Sequence, residues 1–157
     1  MRAEIEIQIR HLLAAHADKP GVVVFPPTIG WQVTLFQRPQ QMALAFARLG
    51  YLVLYGLHTS SGEGTLGLSE VSPRVYLTKL PAEAADLLKT IPNPIAVCYV
   101  YNFQWTKQLE NPAVIFEHID ELEVFQTSYR LGALRDWYSE AISWNMIDID
   151  HASEMMW

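Results

Sequence analysis

The segment from Gly21 to Leu57, GVVVFPPTIGWQVTLFQRPQQMALAFARLGYLVLYGL, constrains the fold more than any other part of the chain. Val22, Val23, Val24 and Phe25 form an unbroken apolar run closed by Pro26 and Pro27. Such a run suits a strand covered on both faces better than a half-exposed one. After a loop holding Gly30 and Trp31, Pro39 suits the first turn of a helix, where a missing N–H costs nothing, and Gly50 suits a left-handed helix end. Met42, Phe46 and Leu49, with Ala43 and Ala47 beside them, make one apolar stripe. Leu52, Val53, Leu54 and Tyr55 then give a second apolar strand. Two buried strands joined through a helix are expected to run parallel with a right-handed crossover, so the segment reads as a βαβ unit.

The remainder extends the same alternation. Ile5, Ile9, Leu12 and Leu13 fall at helical spacing within Ala3 to His16, a leading helix ended by Asp18-Lys19-Pro20-Gly21. His58 to Pro73, rich in Gly, Ser and Thr, reads as a mobile surface loop. Its glycines match neither GxGxxG nor GxxxxGK[ST], so a plain linker is favoured over a phosphate cradle. Arg74 to Leu80 is a third strand, and Pro81 opens a helix running through Ile91 that Pro92-Asn93-Pro94 ends. Ile95 to Tyr101 is a fourth strand, Gln104 to Leu109 a short helix, and Ala113 to Ile119 a fifth strand. Leu122, Phe125, Tyr129, Leu134, Trp137, Tyr138 and Ala141 suggest a helix interrupted near Gly132. Ser143 to Ile149 is a candidate last strand before a final helix. The expected fold is α/β, an open and mostly parallel Rossmann-like sheet with helices on both faces. Residues 1–20 would form the leading helix and linker, and residues 21–157 a single domain. Val22–Phe25 and Val114–Phe116 are expected in its buried middle.

The 157 residues are 50% hydrophobic, enough for one core and too short for a second large domain. A net charge of −6, with no dense Lys/Arg cluster, argues against nucleic acid as a partner. Cys98 lies inside an apolar run and reads as a buried structural thiol. No stretch is long and apolar enough for a membrane span and no secretory h-region opens the chain, so a cytoplasmic location is expected. The five histidines are scattered, and neither a metal site nor a cofactor site is expected.

In parallel sheets of this kind ligands bind beyond the carboxyl ends of the strands. Trp31, Gln37, Arg38, Gln40 and Gln41 follow the first strand, beside a helix N-terminus that favours anions. They suit recognition of a hydroxylated or phosphorylated ligand, with Trp31 as platform; the plainer reading is a helix cap in which Arg38 neutralises a neighbouring carboxylate and Trp31 plugs the loop. Asn102 and Trp105 follow the fourth strand. After the fifth come Glu117, His118, Asp120 and Glu121. Strand alternation puts His118 and Asp120 on one face, the geometry of an acid/base pair, unless Asp120 caps the next helix and His118 is an internal histidine. Trp144, Met146, Met155, Met156 and Trp157 are heavy apolar groups that could form a sticky surface.

The succession VVVFPP, GW, LFQRPQQMALAFARLGYLVLY, YVYN and VIFEHIDELEVF, across roughly Gly21 to Phe125, resembles the N-terminal, acceptor-side domain of nucleotide-sugar-dependent glycosyltransferases of the two-domain GT-B fold. The resemblance implies that Trp31, Arg38 and Gln41 belong to one motif and Asp120 and Glu121 to another, in a half that faces the acceptor. The family's second, donor-binding domain has no counterpart in these residues. The expectation is therefore an acceptor half, inactive alone, with Asp120 and His118 catalytic. Trp31, Gln37, Arg38, Gln41, Asn102, Trp105 and Glu121 would bind a sugar or glycolipid acceptor. A donor-domain partner chain or a homodimer would complete it. A stand-alone small-ligand module and an interaction subunit of a two-chain enzyme are the alternatives.

Overall fold

The computed structural model describes residues 1–118, 129–143 and 147–148. The apolar runs become the strands β1 (Val22–Phe25), β2 (Leu52–Gly56), β4 (Val75–Lys79), β5 (Ile95–Cys98) and β6 (Ala113–Phe116), joined by β3 (Gly67–Ser72) and β7 (Ile147–Asp148). These seven form one sheet in the order β3-β4-β2-β1-β5-β6-β7. Every pairing is parallel except that of β3 with β4. With β3 set aside, the parallel strands are wound in the order of Rossmann-like sheets, third, second, first, fourth, fifth and sixth. The order therefore reverses between β1 and β5.

The alternation of side chains along the strands gives the sheet two covered faces. Val23, Phe25, Val53, Tyr55, Val75, Leu77 and Val97 pack with Ala43 and Ala47 of helix α2 (Arg38–Arg48) on one face. On the other, Val24, Leu52, Leu54 and Ala96 pack with Leu88 and Ile91 of a 3-10 helix spanning Ala82–Thr90 and its end. Helix α1 (Arg2–Ala15) lies over that 3-10 helix, burying Ile5 and Ile9 against Ala84 and Leu87. Farther along the same face, Cys98 and Phe116 meet Phe103 of a second 3-10 helix (Phe103–Gln108) and Leu134 and Ala141 of α3 (Leu131–Ser143).

The ends of α2 show how local chemistry sets the crossover. Gln40 sits three residues after the N-cap Gln37 and its Oε1 accepts the Gln37 N–H at 3.0 Å, satisfying one orphan donor of the helix start. At the other end Gly50 has φ +97°, and the N–H groups of Gly50 and Tyr51 reach back to the carbonyls of Ala47 and Phe46. This paired closure, with the Phe46 and Tyr51 rings in edge contact at 5.7 Å, turns the chain directly into β2. Gly56 closes β2 against the first loop: a Cβ there would lie 2.6 Å from the Phe25 carbonyl oxygen and 2.7 Å from Pro27 N.

Four expectations change. The stretch 58–73 is not all loop, because its second half is β3, an antiparallel edge strand on β4. Its polar Gly-Leu-Ser-Glu-Val-Ser sequence lacks a long apolar run because an edge strand is covered on one side at most. The Pro81-led segment is a 3-10 helix, whose tighter winding aligns residues three apart, here Ala84 with Leu87 and Leu88 with Ile91. The fourth strand stops at Cys98 rather than Tyr101, since the Tyr99 N–H is taken by Asn102 Oδ1 at 2.7 Å. β6 stands one strand from the edge rather than in the middle, with Ala113 exposed and Val114 and Ile115 half-buried. β1 lies centrally as expected. Trp144, Met146, Met155, Met156 and Trp157 lie outside the described residues.

Candidate functional site

At the carboxyl edge, the reversal between β1 and β5 splays the two strand ends apart, and polar side chains bridge them. Asn102 is buried there; its Nδ2 donates to the carbonyls of Pro27 at 3.1 Å and Pro26 at 3.4 Å, while its Oδ1 holds the Tyr99 N–H. The hydroxyls of Thr28 and Tyr101 meet at 2.7 Å across the same gap. Burial pushes the Tyr101 phenol up to about 12, against the opposing hydrogen bond from Thr28. Asn102 therefore fixes the two loops to each other with its amide already engaged.

Beside this bridge, on the face of the 3-10 helices, opens a cleft of about 610 Å³. The strand ends supply Pro27, Leu57, His58, Thr59, Leu80, Tyr101 and Asn102, and the 3-10 helices supply Ala82, Ala85, Gln104, Trp105 and Gln108. His58 and Thr59 are exposed at the rim. Gln104 is steadied by Glu140 of α3, which accepts from its Nε2 at 2.5 Å and also pairs with Lys107. These contacts hold the Glu140 carboxyl below the usual carboxylate range. An indole, a phenol, an imidazole, amides and a hydroxyl thus converge on one opening with a partly apolar floor.

The other face of the edge holds the first-loop residues. Trp31 is buried at 8% exposure, its ring in edge contact with Tyr55 and tilted against Phe36, each at 5.1 Å. Its backbone N–H, with that of Gln32, donates to Glu63 Oε2 at 2.6 and 3.0 Å. Lys79 Nζ in turn donates to the Ser61 carbonyl at 2.5 Å, which ties this segment to β4. Gln40 is buried and donates to the Gly30 carbonyl at 2.8 Å, and Gln41 donates to the Phe36 carbonyl at 3.0 Å. The Gln-Arg-Pro-Gln-Gln run is thus mostly local architecture, and Gln37 is the helix N-cap. Arg38 is different: it crosses to Glu117, just beyond β6, and forms an ion pair with it.

The structure therefore divides the expected acceptor residues. Asn102 and Trp105 line the cleft, whereas Trp31, Gln37, Arg38 and Gln41 lie with α2 on the opposite face. His118 stands near the Tyr138 ring, with centroids 5.3 Å apart. Asp120 and Glu121 fall outside the described residues. Sequence reasoning passed over His58, Thr59 and Gln108, which the cleft includes, and Glu63, whose role depends on a loop-to-loop contact invisible in spacing. Among the described residues, no three His, Cys, Asp or Glu side chains converge as a metal site, and no helix is long and apolar enough to cross a membrane. Cys98 is a buried free thiol, pushed up to about 12 by burial.

Comparison with known proteins gives no match to any family, curated protein or solved structure.

Proposed function

We propose that the chain is the acceptor-side half of a nucleotide-sugar-dependent glycosyltransferase of the GT-B type, with the cleft at the carboxyl edge receiving a hydroxyl-rich acceptor. The observation that carries this reading is the lining of that cleft, where Trp105 and Tyr101 stand beside His58, Thr59, Gln104 and Gln108. A saccharide presents an apolar C–H face, which an indole covers, and rings of hydroxyls, which amides and hydroxyls match as donors and acceptors. The location agrees with the general placement of ligands in parallel sheets. The sequence resemblance supplies the reaction class. In this reading the donor diphosphate and the charge that develops on it are held by another polypeptide segment, because no phosphate-cradling motif is present here. Asp120, with His118 as neighbour or substitute, is the proposed base for the acceptor hydroxyl.

A glycan array probed with the purified chain tests the acceptor role. We expect retention on a chemically related subset of saccharides and loss of that retention in Trp105→Ala, with the variant's melting curve showing that it still folds. An array blank for the folded chain would sink the reading.

A further inference from the structure

The lining of the cleft contains no Asp, Glu, Lys or Arg, although 18% of the chain is charged. Charges on the flanking elements are engaged elsewhere: Lys107 pairs with Glu140, Asp86 pairs with Arg2, Lys79 holds the Ser61 carbonyl, and Glu63 accepts the Trp31 and Gln32 N–H groups. Glu83, next to the lining residue Ala82, is exposed and outside the lining. At the start of the second 3-10 helix the N–H groups of Asn102, Phe103 and Trp105 donate to the Tyr99 and Asn102 carbonyls, which withholds them from an anion. An ionised ligand would lose water in this opening without gaining an opposite charge, which is costly. An uncharged ligand meets no such penalty.

The polar groups of the lining divide into engaged and open ones. Asn102 uses both ends of its amide on the two loops, the Tyr101 hydroxyl meets Thr28, and Gln104 donates to Glu140. The His58 imidazole, the Thr59 hydroxyl, the Gln108 amide and the Trp105 indole N–H have no hydrogen bond to any described residue. The backbone that presents His58 is held: Leu57 donates to the Thr78 carbonyl at 2.9 Å, the His58 carbonyl accepts the Ser61 N–H at 2.9 Å, and the Ser61 carbonyl is bonded by Lys79. Among the open groups the indole only donates, while the imidazole, hydroxyl and amide also accept. His58 is the one whose accepting ability depends on pH, because a histidine that takes up a proton between about pH 8 and pH 5 loses its acceptor nitrogen. Tyr101, the other titratable lining residue, is pushed up to about 12 and stays protonated through that range.

We propose that the cleft selects uncharged, hydroxyl-bearing ligands, and that His58 in its neutral form accepts a hydrogen bond from a ligand hydroxyl. Protonation removes that acceptor and leaves an imidazolium with no carboxylate in the lining to pair with. Affinity is therefore full where His58 is neutral and falls as the pH drops and the ring gains its proton. The role is recognition, distinct from that of the transfer base. This deepens the acceptor reading and rests on it for the ligand being a saccharide.

The test runs the glycan array with neutral glycans beside counterparts bearing carboxylate or sulfate groups, at about pH 8 and about pH 5.5. Retention confined to neutral glycans is expected, and titration of a retained glycan should give binding about tenfold weaker at the acid pH, the scale of one hydrogen bond. His58→Gln keeps an acceptor that does not titrate, so binding should persist and its pH dependence vanish. His58→Ala should bind about tenfold more weakly at about pH 8 and no more weakly at the acid pH. His58 is exposed and its ring has no hydrogen bond to a described residue, so both variants should fold, and melting curves at each pH check this. Acidic glycans held as tightly as their neutral counterparts would overturn the selectivity for uncharged ligands. A pH dependence that survives in His58→Gln, or affinity that rises toward acid pH, would overturn the role of His58. Either result leaves the acceptor reading standing, whereas a blank array removes that reading and this inference with it.

Discussion

Cys98 and Tyr101 stand near the end of β5, and burial raises both groups to about 12 from ordinary values of 9.0 and 10.0. In the unfolded chain these groups lose their protons near the ordinary values, while in the folded chain they keep them until near 12. Between those limits the unfolded state binds fewer protons, so rising pH favours unfolding. Their contribution is whole below about pH 9 and is lost progressively toward about pH 12. Tyr55 and Tyr99, both raised by burial first, act in the same direction. Urea midpoints at about pH 8 and about pH 10.5 should therefore differ, with the alkaline one lower. Equal midpoints would mean that these groups titrate as freely in the fold as outside it.

The elements that were legible in the sequence are those whose burial is carried by local pattern. Val22–Phe25 and Leu52–Tyr55 are covered on both faces and so read as apolar runs, and Pro39 and Gly50 marked the ends of α2 by backbone chemistry that needs no distant partner. β3 was missed because an edge strand takes its hydrogen bonds from β4 alone, and its polar residues look like linker. The division of the first motif between local capping contacts and a long-range ion pair was also hidden. Gln40 and Gln41 differ from Arg38 through contacts with Gly30, Phe36 and Glu117, two of which lie in the preceding loop and one just past β6, far along the chain. Trp105 was placed correctly after a strand end, but the cleft beside it also needs His58 and Thr59, from a segment read as featureless. The element-level join with the most at stake is Asn102, which ties the ends of β1 and β5 through three contacts. Asn102→Ala leaves the Tyr99 N–H and the Pro26 and Pro27 carbonyls without that partner. It should cost about 1–3 kcal/mol or more, read from urea unfolding. A loss within the range of an ordinary surface substitution would show that the bridge contributes nothing to the join.

At the scale of the whole molecule, the sheet places its order reversal between β1 and β5, and the polar bridge, the cleft and the Arg38–Glu117 pair all gather at that carboxyl edge. A different surface lies beside α1, where hollows lined in part by Gln8 open against Leu66 and against Leu68 and Tyr76, without an indole among their lining residues. The central claim is that the carboxyl edge is the ligand face. The most direct measurement is a map of backbone amide and Trp105 indole shifts in a proton–nitrogen NMR spectrum, as a saccharide retained on the array is added. The account predicts shifts concentrated at Leu57–Thr59 and Tyr101–Gln108, with the Trp105 indole among the largest and α1 and β3 unmoved. Shifts centred on α1, Leu66 and Tyr76, with the Trp105 indole unchanged, would contradict it.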